Sequence, residues 1–195
     1  MRQARVSRKT NETDVTVELC LDGKGSCSAV TGIGFLDHML HHLAVHGLFD
    51  LRVEARGDLA VDPHHTVEDV ALVLGQTLDQ SLRDRAGIVR MGSALVPMDE
   101  ALAQVAVDLS GRPACVVQAS WHGPAIGALP TSLVGHFLSS LSITGRLNLH
   151  ARVLAGDDDH HQAEALFKAL GRALDQATSR DPRRGAALPS TKGVI

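Results

Sequence analysis

His64-His65-Thr66-Val67-Glu68 is followed by Gly75 and Leu78, and His160-His161-Gln162-Ala163-Glu164 is followed by Gly171 and Leu174. Each residue of the first stretch meets its counterpart a constant 96 positions later. The agreement runs upstream without a gap. Leu51-Arg52-Val53-Glu54-Ala55-Arg56 aligns with Leu147-Asn148-Leu149-His150-Ala151-Arg152, and both alternate as strands do. Further back, Asp37-His38-Met39-Leu40 parallels Gly135-His136-Phe137-Leu138 at an offset of 98. Val15, Val17, Leu19 and Leu21 alternate toward Asp22-Gly23, as Val105, Val107 and Leu109 do toward Ser110-Gly111. Glu12 falls where Glu100 falls in the second copy. Agreements repeated in the same order identify a duplicated half-domain, residues 1–93 and 94–195.

Each half reads strand, strand, helix, strand, helix. The first helices carry Phe35, Leu36, Met39, Leu40 and Leu43, then Leu133, Phe137, Leu138 and Leu141, at helical spacing. The second helices, about 64–84 and 160–178, turn Val67, Val70, Ala71, Leu74 and Leu78, and Ala163, Leu166, Phe167, Leu170 and Leu174, to one face. Pro130-Thr131 starts the third helix, and Asp181-Pro182 closes the fourth because proline disfavours helical geometry before it. The expected fold is α+β, an internally duplicated half-domain with two small sheets and the helices packed between them. No low-complexity linker separates the halves, so one compact unit is expected.

Composition narrows the function. The 195 residues are 44% hydrophobic and 21% charged, ordinary values for a globular chain. The net charge is −3, aromatics are 3% and tyrosine is absent, which argues against nucleic-acid binding. No apolar run reaches the roughly 18 residues of a membrane helix. Met1-Arg2-Gln3-Ala4-Arg5 leads into no apolar segment, so no secretory signal is expected. Three scattered cysteines, Cys20, Cys27 and Cys115, argue against a disulfide framework and suit a reducing cytoplasm. Histidine is the outlier, with eleven copies.

Residues three or four apart share a helix face, so Glu68 lies on the side of His64 and His65, and Glu164 on that of His160 and His161. Adjacent histidines point about 100° apart and cannot easily serve one ion. Adding His38 and His136 gives six imidazoles and two carboxylates, enough for two sites of three histidines and one glutamate. Nitrogen and oxygen ligands without thiolate suit manganese, iron, zinc or nickel. A helix start that merely favours polar residues would not keep paired imidazoles and a glutamate in both copies while Thr66-Val67 became Gln162-Ala163. Arg90, Arg112 and Lys192 are candidate anion ligands. Arg112 follows a strand-closing turn, and Lys192 lies in the tail Leu188-Pro189-Ser190-Thr191-Lys192-Gly193.

Four motifs in order now carry a resemblance: Gly32-Ile33-Gly34-Phe35-Leu36-Asp37-His38-Met39-Leu40, His64-His65-Thr66-Val67-Glu68-Asp69, the run His160 to Ala169, and Pro189-Ser190-Thr191-Lys192-Gly193-Val194. Together they make the chain strongly resemble the imidazoleglycerol-phosphate dehydratase family over nearly its whole length. The resemblance implies a manganese-dependent dehydratase of histidine biosynthesis that turns imidazole glycerol phosphate into imidazole acetol phosphate and water. It implies a homo-oligomeric shell of 24 subunits, with two manganese ions per active site at subunit interfaces. It assigns His38, His65, Glu68 and His161 to one metal, and His64, His136, His160 and Glu164 to the other. It places Glu12, Arg90, Arg112, Lys168, Ser190, Thr191 and Lys192 on the substrate, beside the ligands His38, His64, Glu68 and His160. The arginines, Ser190 and Lys192 take the phosphate. Three features depart from the pattern. His42 stands where many relatives have glutamine, Gly135 where many have glutamate, and Trp121-His122-Gly123-Pro124 where a different strand is usual.

Loss of water requires removal of a weakly acidic C–H. A Lewis acid on an imidazole nitrogen lets the ring carry negative charge. A carboxylate then removes the proton, with Glu12 the first candidate and Glu164 the second. A metal-storage protein would leave Arg90, Arg112 and the Ser190–Lys192 tail idle, and a metal-dependent phosphate hydrolase is the remaining rival.

Overall fold

The computed structural model describes residues 1–195. The first half contributes strands β1 (Gln3–Lys9), β2 (Thr13–Cys20), β3 (Cys27–Val30) and β4 (Asp50–Gly57), with helices α1 (Gly34–Gly47) and α2 (His64–Leu82). The second contributes β5 (Met91–Met98), β6 (Ala101–Asp108), β7 (Ala114–Gln118), β8 (Ala125–Ile126), β9 (Leu129–Pro130), α3 (Ser132–Gly145), β10 (Asn148–Ala155) and α4 (Asp159–Thr178). The strands form two four-stranded sheets, ordered β1-β2-β4-β3 and β5-β6-β10-β7, and a small β8-β9 ribbon. The fold is α+β and duplicated, as the sequence predicts. Each four-stranded sheet holds one more strand than the alternation revealed, and the second half adds the β8-β9 ribbon. β3 and β7 are short and pair parallel to β4 and β10, so they lack the hairpin signals that betray antiparallel neighbours.

Alternation in the central strands aims one face of each sheet inward. Val15, Val17 and Leu19 of β2 stand opposite Ala55, Val53 and Leu51 of β4, and all are buried. In the second sheet Val105 and Val107 oppose Ala151 and Leu149, again buried. α2 packs on β1 and β2, and α4 on β5 and β6. The four helices lie between the sheets, where Phe137 and Phe167 meet with ring centroids 5.4 Å apart. The three cysteines are free thiols.

The helices pair across the halves: α1 packs on α4 and α2 on α3. Gly171 and Gly75, matched members of the repeat, sit at these crossings. A Cβ on Gly171 would lie 2.6 Å from the Leu43 carbonyl oxygen, and one on Gly75 would lie 2.6 Å from that of Leu141. Both are closer than atoms tolerate, so only glycine lets the helix backbones approach this far. Thr144 Oγ1 donates to the Leu72 carbonyl across the α2–α3 crossing at 2.7 Å.

Candidate metal centres

The cross-half pairing of helices decides which ligands meet. His38, in the first turns of α1, lies beside His160 and Glu164 at the start of α4. His136, in the first turns of α3, lies beside His64 and Glu68 at the start of α2. In each trio one donor atom per residue falls within 4.8 Å of the others. His38 Nε2 is 3.5 Å and His160 Nε2 3.3 Å from Glu164 Oε2. His136 Nε2 is 3.3 Å from Glu68 Oε1, and the His64 and His136 rings are 4.6 Å apart. The division of ligands implied by the resemblance, with His38 beside Glu68 and His136 beside Glu164, is not the grouping within this chain. Adjacent histidines do separate, as helix geometry requires.

Helix starts hold these side chains in place. Asp158 caps α4, its carboxylate accepting the backbone N–H groups of His160 and His161. Asp62 accepts the His64 N–H at 2.7 Å in the same way. Glu164 is 5% exposed. Burial pushes its carboxyl up, but the Lys168 ammonium, 2.5 Å away, with His42 and His38 outweighs this and holds it at about 2. A carboxyl so firmly ionised suits a cation ligand better than a proton acceptor.

The donor sets fit a metal ion. Two donors about 2.1 Å from one ion, at 90° to 109°, lie roughly 3.0 to 3.4 Å apart, which matches the 3.3 Å spacings in both trios. His136 Nε2 is buried and makes no hydrogen bond, so it is an unspent donor facing the cluster. Nitrogen and carboxylate oxygen without sulfur is the set expected for manganese, iron, zinc or nickel.

His65 and His161 face away from the trios. His65 Nδ1 is 3.0 Å from Asp58 and 3.8 Å from Glu12, and His161 Nδ1 is 2.8 Å from Glu100. A carboxylate on Nδ1 orients each ring with Nε2 outward, the usual second partner of a metal-bound histidine. The Asp58 hydrogen bond holds the His65 imidazole above its ordinary range, and Glu100 does the same for His161. Asp58 carries no sequence signal, since it lies in a loop seven positions before His65. His42 is also missing from the sequence-derived ligand set, although it is one turn beyond His38. Its Nε2 lies 3.1 Å from His38 Nε2 and 3.3 Å from Glu164 Oε1.

The anion-binding candidates gather elsewhere. Arg90 donates to both oxygens of Asp108 and, at 2.7 Å, to the Pro189 carbonyl, which ties down the tail. Ser190 accepts the Lys192 N–H at 3.2 Å, and Thr191 lies between them. The Arg112 carbonyl accepts from Asn148 at the start of β10. His160 follows the other end of that strand, and eight residues at about 3.3 Å each separate the two ends by more than 20 Å. Within one chain Arg90, Arg112, Ser190, Thr191 and Lys192 therefore lie at the opposite end of β10 from the His38-His160-Glu164 trio, whereas Lys168 reaches Glu164. A surface depression of about 610 Å³, lined by Gln3, Glu18, Cys20 and Arg52 among others, touches neither group.

The profile of the imidazoleglycerol-phosphate dehydratase family matches residues 31–174. The chain is 60% identical over its whole length to the imidazoleglycerol-phosphate dehydratase of Roseiflexus sp. (strain RS-1), covering 98% of that protein. It is likewise 60% identical to that of Chloroflexus aggregans, covering 95%. Its fold is similar to the crystal structure of imidazoleglycerol-phosphate dehydratase from Staphylococcus aureus, with a TM-score of 0.83, 36% identity, and 92% of this chain and 99% of that chain covered. The Pyrococcus furiosus enzyme in complex with (S)-C348 matches with a TM-score of 0.84 and 36% identity over 97% of this chain and 100% of that chain. With both trios, the duplicated sheets and this identity along its whole length, the chain belongs to the imidazoleglycerol-phosphate dehydratase family and is a hydro-lyase.

Proposed function

We propose that this chain removes water from imidazole glycerol phosphate to give imidazole acetol phosphate, with manganese, as a step of histidine biosynthesis in the cytoplasm. The observation that carries the proposal is the pair of His-His-Glu trios built across the halves, His38-His160-Glu164 and His64-His136-Glu68. Two manganese ions held there would supply Lewis acidity toward the imidazole ring. The outward Nε2 atoms of His65 and His161 are placed to complete the trios of neighbouring copies. The length of β10, more than 20 Å, between the anion-binding end and the strand end that leads to His160 likewise favours sites shared between copies, as in a 24-subunit shell. Arg90, Arg112, Ser190, Thr191 and Lys192 then bind the phosphate ester and fix the glycerol chain.

The chemistry asked of the protein is proton transfer and orientation. The imidazoles of His38, His64 and His160, with Glu68, present their ring nitrogens and carboxylate toward the substrate imidazole. Lys168 keeps Glu164 ionised. Glu12 takes the C–H proton, because its carboxylate is 57% exposed and touches only His65, at 3.8 Å, whereas Glu164 is neutralised by Lys168. Incubating manganese-loaded protein with imidazole glycerol phosphate tests the whole reading. Ketone product supports it, inorganic phosphate release favours a hydrolase, and neither product favours storage.

A further inference from the structure

We propose that Asp69 is a positioning residue for Glu12, and that duplication has left only the first half with a glutamate both anchored and free to react. The proposal rests on Glu12 being the base. Asp69 follows the ligand Glu68 in α2, yet one residue turns a helix by about 100°, so it faces the β1–β2 hairpin instead of the metal trio. It is 6% exposed. Its Oδ2 accepts from the Thr13 hydroxyl and from the Arg8 guanidinium. Thr13 Oγ1 accepts in turn from Thr10 Oγ1 at 3.1 Å. Thr10 Oγ1 then accepts the N–H of Glu12 at 3.1 Å and that of Thr13 at 2.9 Å. Each hydroxyl donates once along this chain, so the polarity runs without conflict from a buried carboxylate to the Glu12 peptide. The Glu12 carboxylate itself makes no hydrogen bond, and its nearest cationic partner is His65 Nδ1 at 3.8 Å.

The second copy lacks every member of this relay. Met98, Ala101 and Ala165 stand at the positions matching Thr10, Thr13 and Asp69. Its glutamate is spent instead on structure. The Glu100 carboxylate accepts the N–H groups of Asp157 at 3.3 Å and Asp158 at 3.0 Å, and is paired with His161 Nδ1 at 2.8 Å. Of two glutamates that descend from one position, Glu100 orients a histidine through a hydrogen bond, and Glu12 keeps a carboxylate free of hydrogen bonds on a backbone N–H held by Thr10. A base needs both properties, because an error of about 1 Å in its placement costs up to about 100-fold in rate.

Thr13→Val tests the relay in the manganese-loaded enzyme, since it removes the hydroxyl without changing the shape and leaves Asp69 paired with Arg8. The expected result is a kcat lower by about tenfold with KM within about twofold, unchanged manganese per chain, and faster hydrogen exchange at the Glu12 and Thr13 amides. Thr13→Ser should restore all of these. Glu12→Gln/Thr13→Val should be as slow as Glu12→Gln alone, because the hydroxyl acts through Glu12. Unchanged kcat with unchanged exchange, or a further loss in the double variant, overturns the proposal. Exchange at these amides also separates the two readings. If the wild-type enzyme forms no ketone, the reaction assignment fails, while exchange still accepts or rejects the anchor.

Discussion

Lys168→Met keeps the length of the side chain and removes the ammonium that neutralises Glu164. The pair is 2.5 Å apart with side chains 15% and 7% exposed, so solvent screens it little. Holding the Glu164 carboxyl at about 2 against an ordinary 4.5 corresponds to about 3 kcal/mol of stability at neutral pH. Lys168 is the largest of the groups that lower it, so its removal should cost about 2 to 3 kcal/mol. The sign fixes the window. The folded value is depressed, so the stabilisation is complete above about 4.5 and is lost as pH falls toward 2. At pH 3 somewhat under half remains. Urea unfolding of metal-free protein, followed through Trp121 at one chain concentration, measures the difference between wild type and variant at pH 7 and pH 3. A difference below about 0.5 kcal/mol at pH 7 would refute the pairing, as would a difference that does not shrink at pH 3.

Glu12→Gln should bind as much metal per chain as wild type and lose nearly all turnover, and full activity in this variant sinks the assignment of the base. Gly171→Ala should force α4 from α1, because its Cβ would sit 2.6 Å from the Leu43 carbonyl, at a cost of about 1 to 3 kcal/mol. Titration calorimetry should then show manganese binding weakened at one class of site and intact at the other, and an unchanged two-site isotherm contradicts the crossing argument. Burial pushes the His42 imidazole down to about 4 against the pull of Glu164. The unfolded chain therefore takes up a proton near 6.5 that the folded chain refuses, and stability falls as pH drops from 6.5 to about 4. Metal-free His42→Gln should lose less stability than wild type across that window, and parallel pH curves for the two proteins would contradict it.

Much of this protein was legible in one dimension because duplication prints each signal twice. The paired His-His-x-x-Glu stretches, the matched His38 and His136, and the alternating strands at 51–56 and 147–152 identify the elements and the ligand types without any contact being known. β3 and β7 escaped because four or five residues joined in parallel leave no local turn as a marker. His42 escaped because one histidine without a partner in the other copy, where Ser140 stands, is indistinguishable from a surface residue.

The sequence by itself determined which side chains share a helix face, since a 3.6-residue period fixes that locally. It could not determine which helix lies opposite. Only the tertiary structure decided that α1 crosses α4 and α2 crosses α3, so that His38 joins Glu164 and His136 joins Glu68. The reason is close packing at Gly75 and Gly171, where backbones meet across the two halves. Only the tertiary structure separated the arginines and the tail from the His38-His160-Glu164 trio by the length of β10. And only there does Asp69, next to a ligand in sequence, turn away from it to hold Glu12, because neighbouring positions on a helix serve different faces.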